Sequence, residues 1–346
     1  MRKAYLTGIR EIELREVPDP KIERGDDVRV RMHTIGVCGS DLHYYREGKI
    51  GVQVVEFPFA VGHECSGTIV EVGPDVAGLR VGQRVAIDPL VVCGQCDQCL
   101  AGRENTCRNQ KFLGCPGQME GSMADYLVMP ARCVFAIPDN VTFDQAVMVE
   151  PFAIGLWAQR LAGPTEGRKI AILGSGPIGL CVLQAVKAAG NCTVYATDLL
   201  DERVALARRT GADWGGNPDR QDVVTAIGEA EPDGLDLVFE CAGKQETIDQ
   251  AGLLLTPGGT LLVLGIPPES RLSFDMNYFR RRELRVQSVR RQNGCVEDAI
   301  EMVASGKVDL NPQITHHFTL AESQAAFDLV ADYKDGVIKA MIHVED

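Results

Sequence analysis

A chain of 346 residues is long for a single hydrophobic core and comfortable for two domains. Its 45% hydrophobic and 24% charged residues are ordinary for a soluble globular protein, and no apolar run is long enough to span a bilayer as a helix. A formal net charge of −13 excludes the broad basic face that nonspecific nucleic-acid or anionic-membrane binding requires, although a local arginine pair can still hold an anion.

The opening Met1-Arg2-Lys3-Ala4-Tyr5-Leu6 soon meets Arg10 and Glu11, so no secretory apolar region develops and a cytoplasmic location is expected. Residues 1–150 read as β-rich. Val28-Arg29-Val30-Arg31-Met32 alternates cleanly, Gly67–Gly73 and Arg84–Ile87 are further strand candidates, and Gly73-Pro74-Asp75 marks a turn. Cys38-Gly39-Ser40-Asp41-Leu42-His43 follows the first of these strands, and Gly62-His63-Glu64 precedes the next. A thiolate, an imidazole and a carboxylate with a fourth position open is the donor set of a catalytic zinc. Each residue taken alone is more often packing than ligand, and spacing does not show that they converge.

Four of the twelve cysteines, Cys93, Cys96, Cys99 and Cys107, fall within one short glycine-punctuated loop. Four soft ligands without a histidine suit a closed tetrahedral structural zinc, and such clustering without a leader points to metal before disulfides. An iron–sulfur cluster fits the ligand type less well once the dispersed set is considered. The remaining cysteines, including Cys65, Cys115, Cys133, Cys181, Cys192, Cys241 and Cys295, read as small packing residues.

After Glu150-Pro151 the texture changes. Candidate strands Lys169–Leu173, Thr193–Thr197, Leu235–Cys241, Thr260–Gly265 and Leu284–Val289, with a weaker one near Ala212–Gly215, alternate with helices over Gly179–Ala189, Glu202–Arg209 and Glu246–Leu254. That alternation predicts a doubly wound parallel sheet over residues 151–289. Its first turn, Gly174-Ser175-Gly176-Pro177-Ile178-Gly179, is a dinucleotide fingerprint placed between a strand and a helix. The helix N-terminus supplies partial positive charge to a pyrophosphate, and Pro177 sits where a first-turn proline is tolerated. Asp198, closing the next strand, accepts from ribose hydroxyls and repels a 2′-phosphate, which favours NAD over NADP. Arg203 either lies over the adenine, pairs with Asp198 or is an ordinary surface residue; Gly265 and Ile266, ending a later strand, join the candidate cofactor contacts.

From about Arg290 to residue 346 the pattern holds two helices and a closing strand near Lys339–Val344. Thr319-Leu320-Ala321-Glu322 has capping-box spacing before the second helix. His316 and His317 read as a surface or strand-edge pair, and His33 and His343 carry no signal. Tyr44 either faces substrate or packs.

The cysteine–histidine segment, the Gly62-His63-Glu64-Cys65-Ser66-Gly67 stretch with Gly73 beyond, the four-cysteine loop and the glycine turn with Asp198 occur in the order seen in zinc-containing medium-chain dehydrogenases, which the chain resembles over essentially its full length. Ser40-Asp41-Leu42-His43-Tyr44-Tyr45, Gly48-Lys49-Ile50-Gly51 and Val149-Glu150-Pro151 are most similar to the sorbitol (polyol) branch, the last as its linker motif. The resemblance implies a GroES-like catalytic domain from residues 1–150 plus 290–346, a Rossmann domain inserted between, and an active site in the cleft between them. It implies Cys38, His63 and Glu64 as ligands of a catalytic zinc, with Glu150 binding directly or through water, Asp41 orienting His63, and a second, structural zinc on the four cysteines. It also implies a substrate contact at Arg291, although Arg290 and Gln292 replace aromatics of the animal members, so that the Arg290–Arg291 pair suits a sugar-acid carboxylate as well. Ser40 and His43 offer a proton relay.

The expected activity is hydride transfer from a secondary alcohol of a polyol to NAD, in a homotetramer or homodimer. Aldonate or threonine dehydrogenases with the same zinc site are the alternatives, though threonine dehydrogenases typically differ at the position of Glu150. A nucleotide-binding scaffold without turnover is a rival of another class, disfavoured because every expected ligand and relay residue is present.

Overall fold

The computed structural model describes residues 1–344. The chain forms two compact units, Met1–Glu150 with the segment from Val296 onward, and Pro151–Cys295. Residues 290–295, expected in the returning segment, therefore remain with the second unit.

The first unit is built on a seven-stranded sheet. Its central strand, Asp27–Gly36, buries Val28, Val30 and Met32 while Arg29 and Arg31 face outward, as the alternation predicts. Antiparallel neighbours Glu64–Val72 and Lys339–His343 flank it, Arg84–Ile87 lies beyond the first and Ile314–Thr319 beyond the second. One apolar core joins Ala4, Leu6, Val30 and Ile69 to Phe327, Val330 and Ile342, so the C-terminal segment completes a core that the N-terminal residues begin. Tyr45 also ties the two ends together, its hydroxyl donating to Asp328 Oδ1 at 2.8 Å.

The second unit carries six parallel strands in the order Trp214–Gly216, Thr193–Thr197, Lys169–Leu173, Leu235–Glu240, Leu255–Val263 and Arg285–Ser288. Strand order reverses between Lys169–Leu173 and Leu235–Glu240, and the crevice beyond the carboxyl ends at such a point is where open α/β sheets bind ligands. The three helices read from sequence form within one or two residues of their predicted starts, over Pro177–Ala189, Asp201–Arg209 and Gln245–Leu254.

Among the elements that the sequence reading did not name, three bear on the site. Gly39–Glu47 is a helix, and so is Phe143–Ala162, whose twenty residues run straight through the expected linker at Glu150-Pro151. Proline removes one intrahelical bond and crowds the preceding turn. The helix persists because Ala146, Val147, Met148, Val149, Phe152, Ala153 and Ala158 are almost fully buried, and packing outweighs the local cost. The third is the strand Ile314–Thr319, which pairs in parallel with Lys339–His343 and carries His316 and His317.

Candidate active site

Cys38 caps the helix Gly39–Glu47 immediately after the central strand. Its amide donates to Asp41 Oδ2 at 3.3 Å, and the Ser40 hydroxyl donates to its Sγ at 3.4 Å. Asp41 is fully buried. Its other oxygen accepts from the Gly62 amide at 3.2 Å and lies 3.3 Å from His63 Nδ1. Gly62 holds φ at +95°, a conformation that turns the chain into the strand Glu64–Val72 and presents His63 and Glu64 together. One donor atom each from Cys38, His63 and Glu64 lies within 4.8 Å of the others. The dispersed residues thus meet.

The electrostatics suit a cation. Burial opposes charge on the His63 imidazole, but Asp41 and Cys38 outweigh it and push its pKa well above the usual histidine value. With Nδ1–H donating to Asp41, a metal would take the place of the second proton at Nε2. Asp41, Glu64 and Glu150 are all buried carboxyls, against which stands one buried ammonium. That is Lys339, whose Nζ lies 2.5 Å from Glu64 Oε2 and 3.3 Å from the Val37 carbonyl. Sequence reading passed over Lys339 as the start of a strand. A signal was available: it is the one charge in the apolar run Val337-Ile338-Lys339-Ala340-Met341-Ile342, and such a charge needs a buried partner.

Glu150 projects from the middle of the long helix and is not among the converging donors. Burial, with Glu64 adding to it and His63 opposing, raises its carboxyl to about 7. His43 is half-buried and sits 3.5 Å from Glu47. Tyr44 is buried, with its hydroxyl toward Gln53 and Cys115, so within this unit it packs. Arg291 lies in the second unit at a positive φ of 51°.

The four-cysteine loop forms a second cluster. Cys96 and Cys99 sulfurs are 3.6 Å apart, Cys96 and Cys107 3.9 Å, and Cys93 and Cys107 3.5 Å. These match the edge of about 3.8 Å of a tetrahedron with metal–sulfur bonds of ~2.3 Å. None of the twelve cysteines forms a disulfide. The Gln95 amide, helped by that of Cys96, holds the Cys93 thiol down to about 6, whereas burial pushes Cys99 up to about 12.

In the second unit the three glycines of the turn are used differently. Gly174 has φ of +98°, and a Cβ on Gly179 would stand 1.9 Å from the Gly174 carbonyl oxygen. Gly176 has only Arg203 Nη1 near its Cβ position, at 3.4 Å, so its backbone faces open space where a pyrophosphate could approach. Pro177 begins the helix, with Ile178 and Gly179 in its first turn. Asp198 accepts from the Ser175 and Leu200 amides at 2.8 and 3.0 Å, and Arg203 reaches it at 3.7 Å, the pairing alternative of the sequence reading. Gly265 donates its amide to the Glu240 carbonyl at 3.0 Å, and Ile266 is 46% exposed.

Comparison with known proteins agrees with this architecture. Residues 24–139 match the alcohol dehydrogenase GroES-like domain, and residues 177–305 match the zinc-binding dehydrogenase model. A sorbitol dehydrogenase of Bacillus subtilis is 35% identical over 344 residues, covering 99% of this chain and 97% of its own. The chain belongs to the zinc-binding dehydrogenase family. Among other members, an L-idonate 5-dehydrogenase of Vitis vinifera is 33% identical, covering 95% of this chain and 91% of its own. A zinc-binding dehydrogenase structure from Sinorhizobium meliloti 1021, bound to NADP, superposes with a TM-score of 0.89 at 32% identity and covers 99% of both chains. This dehydrogenase is therefore an oxidoreductase of the polyol and sugar branch, with a GroES-like domain and a Rossmann-like sheet. No helix among the described residues is long and apolar enough to cross a membrane.

Proposed function

We propose that this dehydrogenase oxidises a secondary alcohol of a polyol to a ketose, with NAD as hydride acceptor. The observation that carries the reading is the convergence of Cys38, His63 and Glu64 around one point, with Asp41 fixing the imidazole. The donor set fits a catalytic zinc, which when bound supplies Lewis-acid polarisation of a substrate hydroxyl. The Gly174–Gly179 turn would hold NAD, with Asp198 the residue that would meet its ribose, and the nicotinamide would supply the hydride acceptor. The chain's own residues orient and move the proton. Asp41 holds Nδ1 of His63, Lys339 holds Glu64, and Ser40 Oγ beside Cys38, with His43 on the same helix, offers a path for a proton toward solvent. Glu150, buried near His63 and Glu64, is the other candidate acceptor.

The substrate class rests on the likeness to sorbitol dehydrogenases. The idonate relative, together with Arg290 and Arg291, supports a second reading in which the substrate carries a sugar-acid carboxylate. The reading includes a cytoplasmic enzyme with two zinc ions per chain, the second on Cys93, Cys96, Cys99 and Cys107. It also includes a homotetramer or homodimer, for which the strand Arg285–Ser288, exposed at all four residues on a sheet edge, is a pairing surface.

Steady-state turnover with sorbitol, xylitol, galactitol, aldonates and threonine, each with NAD and with NADP, tests the proposal. The highest kcat/KM is expected for a polyol with NAD. Turnover confined to aldonates favours the second reading, and preference for NADP removes the role given to Asp198. A Cys38→Ala variant that keeps zinc-dependent turnover at the wild-type rate would show that the metal assignment is wrong.

A further inference from the structure

A third cluster of donors lies outside both sites already described. Asp144, in the first turn of the helix Phe143–Ala162, meets His317 of the edge strand and His343 of its neighbour, with one ligand atom from each within 4.8 Å of the others. Sheet register brings the two histidines together. His343 is paired with Thr319, two residues beyond His317 on the adjacent strand, and is directly opposite Thr34 on the other side. His317, His343 and Thr34 therefore share one face of the sheet. The Thr34 hydroxyl donates to Asp144 Oδ1 at 3.0 Å and so orients the carboxylate over that face.

His317 Nδ1 and His343 Nε2 are 3.4 Å apart, His343 Nε2 and Asp144 Oδ1 are 3.1 Å apart, and His317 Nδ1 and Asp144 Oδ2 are 3.6 Å apart. A tetrahedron with metal–ligand bonds of ~2.0–2.1 Å has edges of about 3.3–3.4 Å. The edge between the two ring nitrogens matches that value, and the carboxylate meets both rings at similar range, His343 through Oδ1 and His317 through Oδ2. The two facing ring nitrogens cannot both carry protons without opposing each other, whereas two lone pairs and a carboxylate converging on one point are what a divalent ion requires. The side chains are 50%, 40% and 23% exposed for His317, His343 and Asp144, so an ion can enter and a fourth position stays open to water.

We propose that Asp144, His317 and His343 form a third metal site, for a divalent transition ion of the zinc type, separate from the catalytic and the four-cysteine sites. An ion there staples the edge of the seven-stranded sheet to the first turn of the helix that carries Glu150. The site stands whether or not the substrate reading does, because it uses none of those residues.

Untagged protein already loaded at its other sites is dialysed against micromolar zinc, and zinc per chain is counted by mass spectrometry. Wild type is expected to hold one more equivalent than either His317→Ala or His317→Ala/His343→Ala. The single variant replaces a half-exposed side chain and should fold. Electron paramagnetic resonance of added copper(II) gives a second readout, with two-nitrogen coupling in wild type that is lost in the double variant. Equal zinc content in wild type and both variants, or an unchanged copper spectrum, overturns the proposal.

Discussion

Replacing Lys339 by methionine tests how the carboxyls of the metal-donor cluster are held. Lys339 and Glu64 are each 1% exposed and their charged atoms are 2.5 Å apart. At an effective dielectric of about 20 the attraction is about 6–7 kcal/mol, but removing both ions from water costs several kcal/mol apiece, so the pair adds little net stability. Removing one partner is different. Lys339→Met leaves the Glu64 carboxylate buried and unpaired, which costs about 3–5 kcal/mol. The effect should appear as roughly 10²- to 10⁴-fold faster amide exchange in the strands Asp27–Gly36 and Lys339–His343. Hydrogen exchange by mass spectrometry on zinc-depleted protein is the assay, since no cation can then replace the ammonium. Adding Glu64→Gln to Lys339→Met removes the stranded charge and should restore most of the protection, giving a coupling well above that of distant sites. A double variant no better protected than Lys339→Met alone would refute the reasoning.

Two further outcomes bear on the second unit, which contains both tryptophans, Trp157 and Trp214, and so reports its own unfolding by fluorescence. Gly179→Ala places a methyl against the Gly174 carbonyl and should cost about 1–3 kcal/mol, whereas Gly176→Ala, which meets only the end of the flexible Arg203 side chain, at 3.4 Å, should leave the unfolding midpoint unchanged and weaken only NADH binding; equal midpoints for the two variants would contradict the geometry. Glu231 accepts from the Tyr195 hydroxyl at 2.7 Å and pairs with Lys169; burial works against its ionisation, but these partners win and hold its pKa below the ordinary 4.5. Its contribution is present above pH 4.5 and lost as pH falls through the lower folded value, so acid unfolding of wild type should be steeper below pH 4.5 than that of Glu231→Gln, and identical slopes would count against it.

Much of the fold could be read because the second unit writes its period locally. The strands Lys169–Leu173 and Thr193–Thr197 are short, with apolar middles, Ile170-Ala171-Ile172 and Val194-Tyr195-Ala196, that are buried, and their limits match the reading residue for residue. The helix Phe143–Ala162 escaped because Pro151 and Gly155 are local arguments against a helix. What sustains it is burial on all sides of its middle turns, Ala146 through Ala153, a property of the folded chain and not of any short window. The strand Ile314–Thr319 escaped for the complementary reason. As an edge strand it alternates intermediate and exposed positions and shows no buried run.

The donor cluster divides along the same line. Cys38, Asp41, His63 and Glu64 were legible because each lies in a contiguous motif whose residue types are chemically costly to bury without a partner. Lys339, and the trio of Asp144, His317 and His343, were not. Lys339 meets a partner 275 residues away, and His343 meets Asp144 at a separation of 199. Both meetings are set by one structural decision, the return of the C-terminal strand to lie beside Asp27–Gly36. That strand is short, yet its register decides which side chains face Glu64 and which face Asp144. A one-residue slip would exchange the faces and withdraw Lys339 from Glu64 and His343 from Asp144 together. The polar chemistry at both ends of the strand is therefore held in place by its apolar middle, Ala340, Met341 and Ile342, all fully buried in the sheet.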